Sequence, residues 1–431
     1  MISRFFLSAI ILLSFTTISL SQEEFNTTSV TIFKNGAALI EKSANLNLNG
    51  NTAIINNLPF TIGSQTQNFI TAGTIQFLSA KNEIVETRVY PNYMKLVFEK
   101  ASESEIVKLS YVQAGLRWIP YYLIQLNGDG SALLKLDVTL LNQIEDINDA
   151  TINFAIGKPF FPYLNHHSPL IHSHEANSNY GANRNYNDFV VLGYGSKSNE
   201  NTNSSNHDSF EEAGWYEDLF IYPKNNLSLK KNENLKLNLL RTKISYQDVY
   251  KVTVNSNRNI VNYQGFISNL TKSENIIQHS IKFKNSSHFP LTTGVVHFQG
   301  LSGDRIKFVS QGLLNYTNVH EDCEIQLSAS PEIVVEDNDF EVSRVILSGM
   351  QELTVRSEIN IFNYKSKPID LVVNRDIVGV LLESDKNWDV NKLMTTSFLN
   401  NESNDVTWKI HVPAKGEESI NYTYKILVEK Q

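Results

Sequence analysis

The sequence predicts an all-β protein of two or three antiparallel β-sandwich-like units with a long polar insertion. Three observations carry that expectation. Apolar and polar residues alternate in run after run, as they do in strands with one buried face. Asn35-Gly36 and Asn49-Gly50 stand between apolar runs, and Asn-Gly favours the positive φ angles of tight hairpin turns. No segment carries a convincing long helical pattern. The nearest is "ASESEIVKLSY", where Ser102 and Glu105 have the spacing of a capping box. It is short and runs straight into strand-like residues.

The chain opens with a targeting pattern. Arg4 supplies a positive charge, Phe5 to Leu13 form a short apolar core, and small residues close the segment before Gln22. This is the layout of a secretory signal peptide, with cleavage expected after Ser21. The apolar core is too short for a comfortable membrane span. No second long apolar run follows, so no transmembrane segment is expected after signal removal. The protein is therefore expected to be exported, and to be periplasmic, outer-membrane-associated or secreted.

Four segments follow from the patterning: a signal peptide at 1–21, an N-terminal β domain at 22–105, a central β domain at 106–330 and a C-terminal β-sandwich domain at 331–431. Within the central segment, Asn127-Gly128-Asp129-Gly130 reads as a turn. Leu134, Leu136, Val138 and Leu140 then point one way, and Lys135, Asp137 and Thr139 the other. From 165 to 212 Asn, Ser, His and Gly dominate. Such a tract buries too little apolar area to offset its ordering entropy, and it reads as a flexible insertion. In the C-terminal segment, Ile359 and Ile361 are matched with Ile369, Leu371 and Val373. Val406, Trp408, Ile410 and Val412 are matched with Ile420, Tyr422, Tyr424 and Ile426 as the cleanest hairpin.

Composition excludes some functions. The 431 residues carry a net charge of −8 with pI about 5.7. No basic stripe of the kind that binds nucleic acid is present. Cys323 is the one cysteine, so no intramolecular disulfide forms and the fold relies on its apolar core. A lone cysteine without an evident base partner reads as a packed residue rather than a nucleophile. Asn-x-Ser/Thr triplets at Asn26, Asn269, Asn285, Asn315 and Asn421 fit glycan acceptors in a eukaryotic secreted protein. Chance in an Asn-rich chain is the preferred reading.

The stretch from Lys108 to Phe160 contains Trp118-Ile119-Pro120-Tyr121-Tyr122, then Asn142 and an acidic turn from Glu145 to Asp149. With the opening "VTIFKNGAALIEKSANLNLNG" and the closing Trp408, Pro413, Gly416 and Tyr424, it resembles the mucoidy-inhibitor-A-like proteins, which share a domain of unknown function. The resemblance covers nearly the whole chain after the signal segment. It implies an exported all-β protein and hints at surface polysaccharide. It implies no catalytic residues and no cofactor. Members commonly carry a coiled coil between the N-terminal and main domains, and no heptad run appears here between about 75 and 110. Trp118 and Tyr122 read first as packing at a sheet edge, and second as a platform for sugar or peptide.

Other candidate residues lie in or near the polar tract. "NDFVVLGYGSKS" resembles the E-V-V-V-x-G-Y-G-T segment of TonB-dependent outer-membrane receptors in Bacteroidetes-type bacteria. An extended apolar run in a tether adds to an exposed sheet edge through backbone hydrogen bonds. Phe189, Val190, Val191, Leu192, Gly193, Tyr194 and Gly195 are the candidate partner-binding residues on that reading. A short strand in this protein's own sheet, or a vestige of an inserted domain, are the structural alternatives. His166, His167, His172 and His174 are candidate metal ligands, because zinc takes imidazole nitrogen and 172 and 174 share one face of a strand; Glu175 is a possible oxygen donor. Glu211-Glu212 and Glu336-Asp337-Asp339 are carboxylate groupings of the kind a glycosidase uses.

The preferred expectation is an exported cell-envelope β-sandwich protein acting by protein or surface-polymer contacts, with an envelope protein, a TonB-like protein or a surface polysaccharide as partner. The alternative is an envelope polysaccharide-acting hydrolase.

Overall fold

The computed structural model describes residues 24–58, 70–71, 73–157, 159, 214–216, 218–262, 275–302, 305–347, 349–393 and 401–429. These residues form strands β1–β24 and a 3-10 turn at Asn257–Asn262. The all-β expectation holds. The chain has two compact units that interleave along the sequence. One takes its described residues from Met1–Trp118, Leu141–Asn185 and Trp215–Asn234. The other takes them from Ile119–Leu140, Tyr186–Gly214 and Leu235–Gln431.

The first unit is built on a seven-stranded sheet. Its order is β11 (Gly214–Tyr216), β12 (Leu219–Leu229), β10 (Ile147–Ile156), β1 (Asn26–Ile32), β2 (Ala37–Asn47), β7 (Ser104–Ala114) and β4 (Gln76–Ser79). A three-stranded sheet accompanies it, with β6 (Met94–Phe98) between β3 (Thr52–Ile55) and β5 (Ile84–Val89). Alternation sets the core: Val30, Ile32, Ile40, Leu46, Val107, Leu109, Ile152 and Phe154 are all buried. The two Asn-Gly pairs behave differently. Gly36, at φ +91°, turns β1 into its partner β2. Gly50, at φ +67°, turns the chain from β2 to β3, which belongs to the other sheet. The capping-box signal at Ser102 and Glu105 does not start a helix. The segment is β7, paired with β2 from Ala114 to Ser104, and Glu105 accepts a hydrogen bond from Ser79 at 3.0 Å. A long ladder outweighs one local cap.

The second unit holds a ten-stranded sheet. The main path is β16 (Arg305–Leu314), β15 (Gly294–Ser302), β8 (Leu116–Leu126), β9 (Ser131–Asn142), β13 (Asn234–Val254), β20 (Ile369–Val378), β23 (Ser403–Val412) and β22 (Trp388–Leu393). Strand β14 (Gln278–Lys284) branches from β13 and pairs with β17 (Asp322–Ala329). A four-stranded sheet has the order β18 (Ile333–Leu347), β19 (Met350–Asn363), β24 (Gly416–Glu429) and β21 (Val380–Ser384).

Two expectations are corrected by this topology. The sheets are mixed rather than purely antiparallel, because β1 and β10, β8 and β15, and β13 and β20 pair in parallel. Side-chain alternation reports a buried face and says nothing about strand direction. The matched apolar faces at the C-terminus are also not hairpins. Strand β23 pairs with β20 and β22, and β24 pairs with β19 and β21. The side chains of β20 and β23 share one core with those of β19 and β24, so residues 413–415 arch between two layers of a sandwich.

Among the described residues one device recurs at three strand ends. Asn142, Asn285 and Asn363 each stand at or just past a strand end and are 1–2 % exposed. The Asn142 amide donates to the carbonyls of Glu145, Leu229 and Lys230 at 2.6–3.3 Å. Asn285 does the same to Phe289, Thr317 and Asn318 at 3.0–3.3 Å. Asn363 does so to Lys367, Val412 and Pro413 at 2.9–3.4 Å. Each side-chain oxygen accepts the backbone N–H two residues on, from Ile144, Ser287 and Lys365.

The loops they hold are alike too. Each closes a backbone turn, Glu233 to Lys230, Glu321 to Asn318 and Gly416 to Pro413. Each places a residue in the left-handed region: Asn232, His320 and Lys415 at φ +64°, +65° and +50°. In the first two loops the fourth residue's carboxylate accepts the first residue's N–H, Glu233 from Lys230 and Glu321 from Asn318. In the third the first residue is Pro413, which has no N–H to satisfy, and the fourth is Gly416. Asn285 lies within a glycan-acceptor triplet, but its amide nitrogen is buried and fully used.

The C-terminal core also contains a charge. Arg375 on β20 is 2 % exposed. Its guanidinium donates to both carboxylate oxygens of Asp339 on β18 at 2.7 and 3.2 Å, and to the Asn255 carbonyl at 3.0 Å. It also contacts Ser357 on β19 and the Tyr422 hydroxyl on β24. Burial alone would lower the Arg375 pKa, but Tyr422 and Asp339 outweigh it and raise the pKa. Burial pushes the Tyr422 hydroxyl up to about 12.

Two stability outcomes are expected. Asn142→Ala, Asn285→Ala and Asn363→Ala each orphan buried carbonyls and should cost about 2–3 kcal/mol in denaturant unfolding; Asn315→Ala, at an exposed position, should stay within about 0.5 kcal/mol. Asp339→Ala leaves a buried guanidinium without its counter-ion and should cost about 3–5 kcal/mol by the same measurement.

Candidate binding groove on the ten-stranded sheet

The outward face of β8, β9, β13, β15 and β16 carries a groove of about 520 Å³, lined among others by Tyr121, Asp137, Lys236, His297, Gln299 and Phe308. Period-two alternation puts these side chains there. On β8, Trp118, Tyr122 and Ile124 are buried while Tyr121, Leu123 and Gln125 are not. On β15, Val296 and Phe298 are buried while Val295, His297 and Gln299 are not.

Register arranges the outward residues in rows across three strands. Gln299 is paired with Phe308 on one side and Gln125 on the other. His297 is paired with Gln311 and Leu123, and Val295 with Leu313 and Tyr121. Gln299 donates to the Gln125 side chain at 3.4 Å, and Gln311 lies 3.4 Å from His297 Nδ1. Phe308 is 67 % exposed and Ile306 equally so. The charges in the lining answer each other: Lys236 Nζ lies 3.0 Å from Asp137, which also accepts a 2.8 Å bond from Asn238. Burial pushes the Asp137 carboxyl up, but the bonds from Asn238 and Lys236 outweigh it and leave it below the usual carboxylate value.

The residues singled out in the sequence fall in several places. Trp118 and Tyr122 are core side chains, each 1 % exposed. Trp118 donates from Nε1 to the Ile32 carbonyl at 3.1 Å and meets Phe154 edge-on at 5.7 Å. The Tyr122 hydroxyl donates to the Thr292 carbonyl at 2.8 Å. Their rings and polar atoms are used internally. The neighbour of Tyr122, Tyr121, faces the groove. Asp137 and Thr139, read as the wet face of β9, also line it. His297, Gln299 and Phe308 were not singled out. The alternation in "GVVHFQG" marks the first two as outward, but nothing local says that β15 lies beside β8.

Phe189, Val190, Val191, Leu192, Gly193, Tyr194 and Gly195 lie outside the described residues, as do His166, His167, His172, His174, Glu175 and Glu211-Glu212. Of the other carboxylates, Asp339 is bound to Arg375, and Asp337 accepts a 3.0 Å bond from Asn275. Cys323 is buried, and burial pushes its thiol up to about 11 against an opposing bond from Thr317. Among the described residues no group of three or more His, Cys, Asp or Glu is placed to hold a metal, and no helix is long and apolar enough to cross a membrane. No family model matches the chain, and no curated protein matches it.

A second polar cluster lies on β13 and β14. Asp248 accepts from His279 Nε2 at 2.9 Å and from Lys367 Nζ at 2.6 Å, and His279 stacks on Tyr250 at 4.5 Å. The His279 bond, joined by Lys367, outweighs burial and holds the Asp248 carboxyl down at about 2. A carboxyl depressed on folding stabilises the native state above its ordinary value, and that contribution is lost as pH falls. The stability gap between the native protein and Asp248→Asn should therefore narrow as pH drops from about 4 towards 2, read as the difference in their urea midpoints.

Proposed function

We propose that the chain is an exported cell-envelope protein, similar to the mucoidy-inhibitor-A-like family. It acts by contact with a protein or a surface polymer rather than by catalysis. The groove on the outward face of β8, β9, β13, β15 and β16 is the observation that carries this reading. It combines the exposed Phe308 ring and the half-buried Tyr121 ring with the Gln299 side-chain amide, and its charge is self-neutralised. An exposed apolar patch rimmed by polar groups marks an interaction surface or a ligand-binding groove. Its lining includes one carboxylate, Asp137, already engaged by Lys236 and Asn238, whereas glycoside hydrolysis works with two. The leader pattern at 1–21 supports export.

Fractionation tests the location. The native-host protein should appear in the envelope or medium with Gln22 as its first residue. Co-sedimentation tests the contact. Purified protein should pellet with isolated envelopes, and Tyr121→Ala/Phe308→Ala should reduce the pelleted fraction about tenfold, the loss of roughly 1.4 kcal/mol. Equal pelleting of both proteins would remove the groove from the account.

A further inference from the structure

Resting on that contact reading, we infer that the groove binds an uncharged glycan chain. A hexose ring has a C–H face that packs on an aromatic ring and a rim of hydroxyls that both donate and accept. The groove offers both halves. Phe308 stands exposed at one end of the row pattern and Tyr121 closes the other, on strands two apart and rows two apart. Strand and residue spacings place them about 15 Å from each other, a span for a short oligosaccharide rather than a single sugar.

Between the rings lie Gln125, Gln299, Gln311 and His297. Side-chain amides present a donor and an acceptor together, which suits a hydroxyl. Their mutual contacts are at 3.4 Å, long for hydrogen bonds, so a ligand hydroxyl replaces them at little cost. The volume of about 520 Å³ falls within the range of ligand sites.

Charge decides the ligand class. In the lining Asp137 and Lys236 neutralise each other, and Arg305 and Lys307 alternate with the lining residues Ile306 and Phe308 along β16, so the groove itself presents no net charge to favour a phosphate-bearing chain, a nucleic acid or a polyuronate. A peptide adding to the edge of β16 is disfavoured. That edge carries Arg305 and Lys307, and the β15–β16 pairing is bulged between Phe298 and Gln299. Charges and bulges are what keep edges from accepting a further strand.

The test is affinity electrophoresis of the purified full chain in native gels containing dextran, laminarin, yeast mannan or polygalacturonate. At least one neutral polysaccharide should retard the protein. Tyr121→Ala and Phe308→Ala should each weaken the retardation about tenfold, while Leu347→Ala, at an exposed apolar position on β18 of the four-stranded sheet and outside the groove lining, should not. Unchanged urea midpoints would exclude misfolding of the variants. Retardation by polygalacturonate alone, or retardation insensitive to the ring variants, overturns the inference. If no neutral polysaccharide retards the protein while envelope co-sedimentation still depends on Tyr121 and Phe308, the glycan falls and the contact reading stands with a protein partner. If co-sedimentation is also insensitive to them, both fall.

Discussion

A strand that stops inside a protein leaves backbone carbonyls facing away from water, and each one left unpaired costs about as much as a lost hydrogen bond. A sandwich multiplies the problem, because its chain repeatedly leaves one sheet to enter another. Here three buried asparagines absorb that cost, Asn142 and Asn363 where the chain changes sheet and Asn285 where it passes from β14 to β15 within one sheet. An amide suits the task because its nitrogen offers two hydrogens, its oxygen accepts, and it carries no charge to desolvate. Aspartate would present oxygens to carbonyls, and leucine would satisfy none of them. Asn142, Asn285 and Asn363 thus tie each departing strand to the loop that precedes β13, β17 and β24 respectively. The three loops differ in sequence yet share the same turn and left-handed residue. Glu233 and Glu321 satisfy the N–H of the first loop residue, and Pro413 in the third loop removes the need, since it has no N–H.

With crossings fixed, alternation does the rest. Each strand gives every second residue to a core and the others to a surface, so identity and position in the chain decide function residue by residue. Tyr121 and Tyr122 are adjacent in sequence and opposite in role. The first faces the groove, and the second spends its hydroxyl on Thr292. That much was legible. The buried sets on β9, β19, β20, β23 and β24 could be read from the sequence, as could the outward set Lys135, Asp137 and Thr139. Partnership was not legible. The apolar faces of β23 and β24 are well matched because they fill one core from opposite layers, and a hairpin would show the same pattern. Alternation is a local property, whereas pairing depends on residues as distant as Tyr121 and Val295. The groove escaped notice for the same reason, since its rows exist only once β15 lies parallel to β8.

Arg375 marks a second limit of sequence reading. "VVNRDIVG" places an arginine where Val373 and Ile377 are buried, so alternation sends its side chain into the core. The pattern says nothing of what would receive it. The receiver is assembled from three other strands: Asp339 from β18, Ser357 from β19 and Tyr422 from β24. A buried pair of this kind contributes little net stability relative to an apolar core, but it is costly to mismatch. Any slip of β20 against the four-stranded sheet would strand the guanidinium. Arg375 therefore fixes alignment between layers, a job that the interchangeable Ile and Val side chains around it do poorly.

The outward face of β15 and β16 shows the opposite economy. Phe308 and Ile306 forgo burial worth about 1.5–3 kcal/mol each, on a strand whose other end is closed by buried Leu314. The core does not need them, and they are not scattered singly, because Phe308 lies across from Gln299 and in the same lining as His297 and Tyr121. Stability alone would favour polar residues at both positions, as Arg305 and Lys307 already are. Apolar side chains held out of the core, next to amides that half-satisfy one another and charges that cancel, make sense if burial is completed by something that arrives from outside. A molecule with an apolar face and a hydroxyl rim completes it without disturbing the charges, and it is on that balance that the neutral glycan is preferred to an ionic partner.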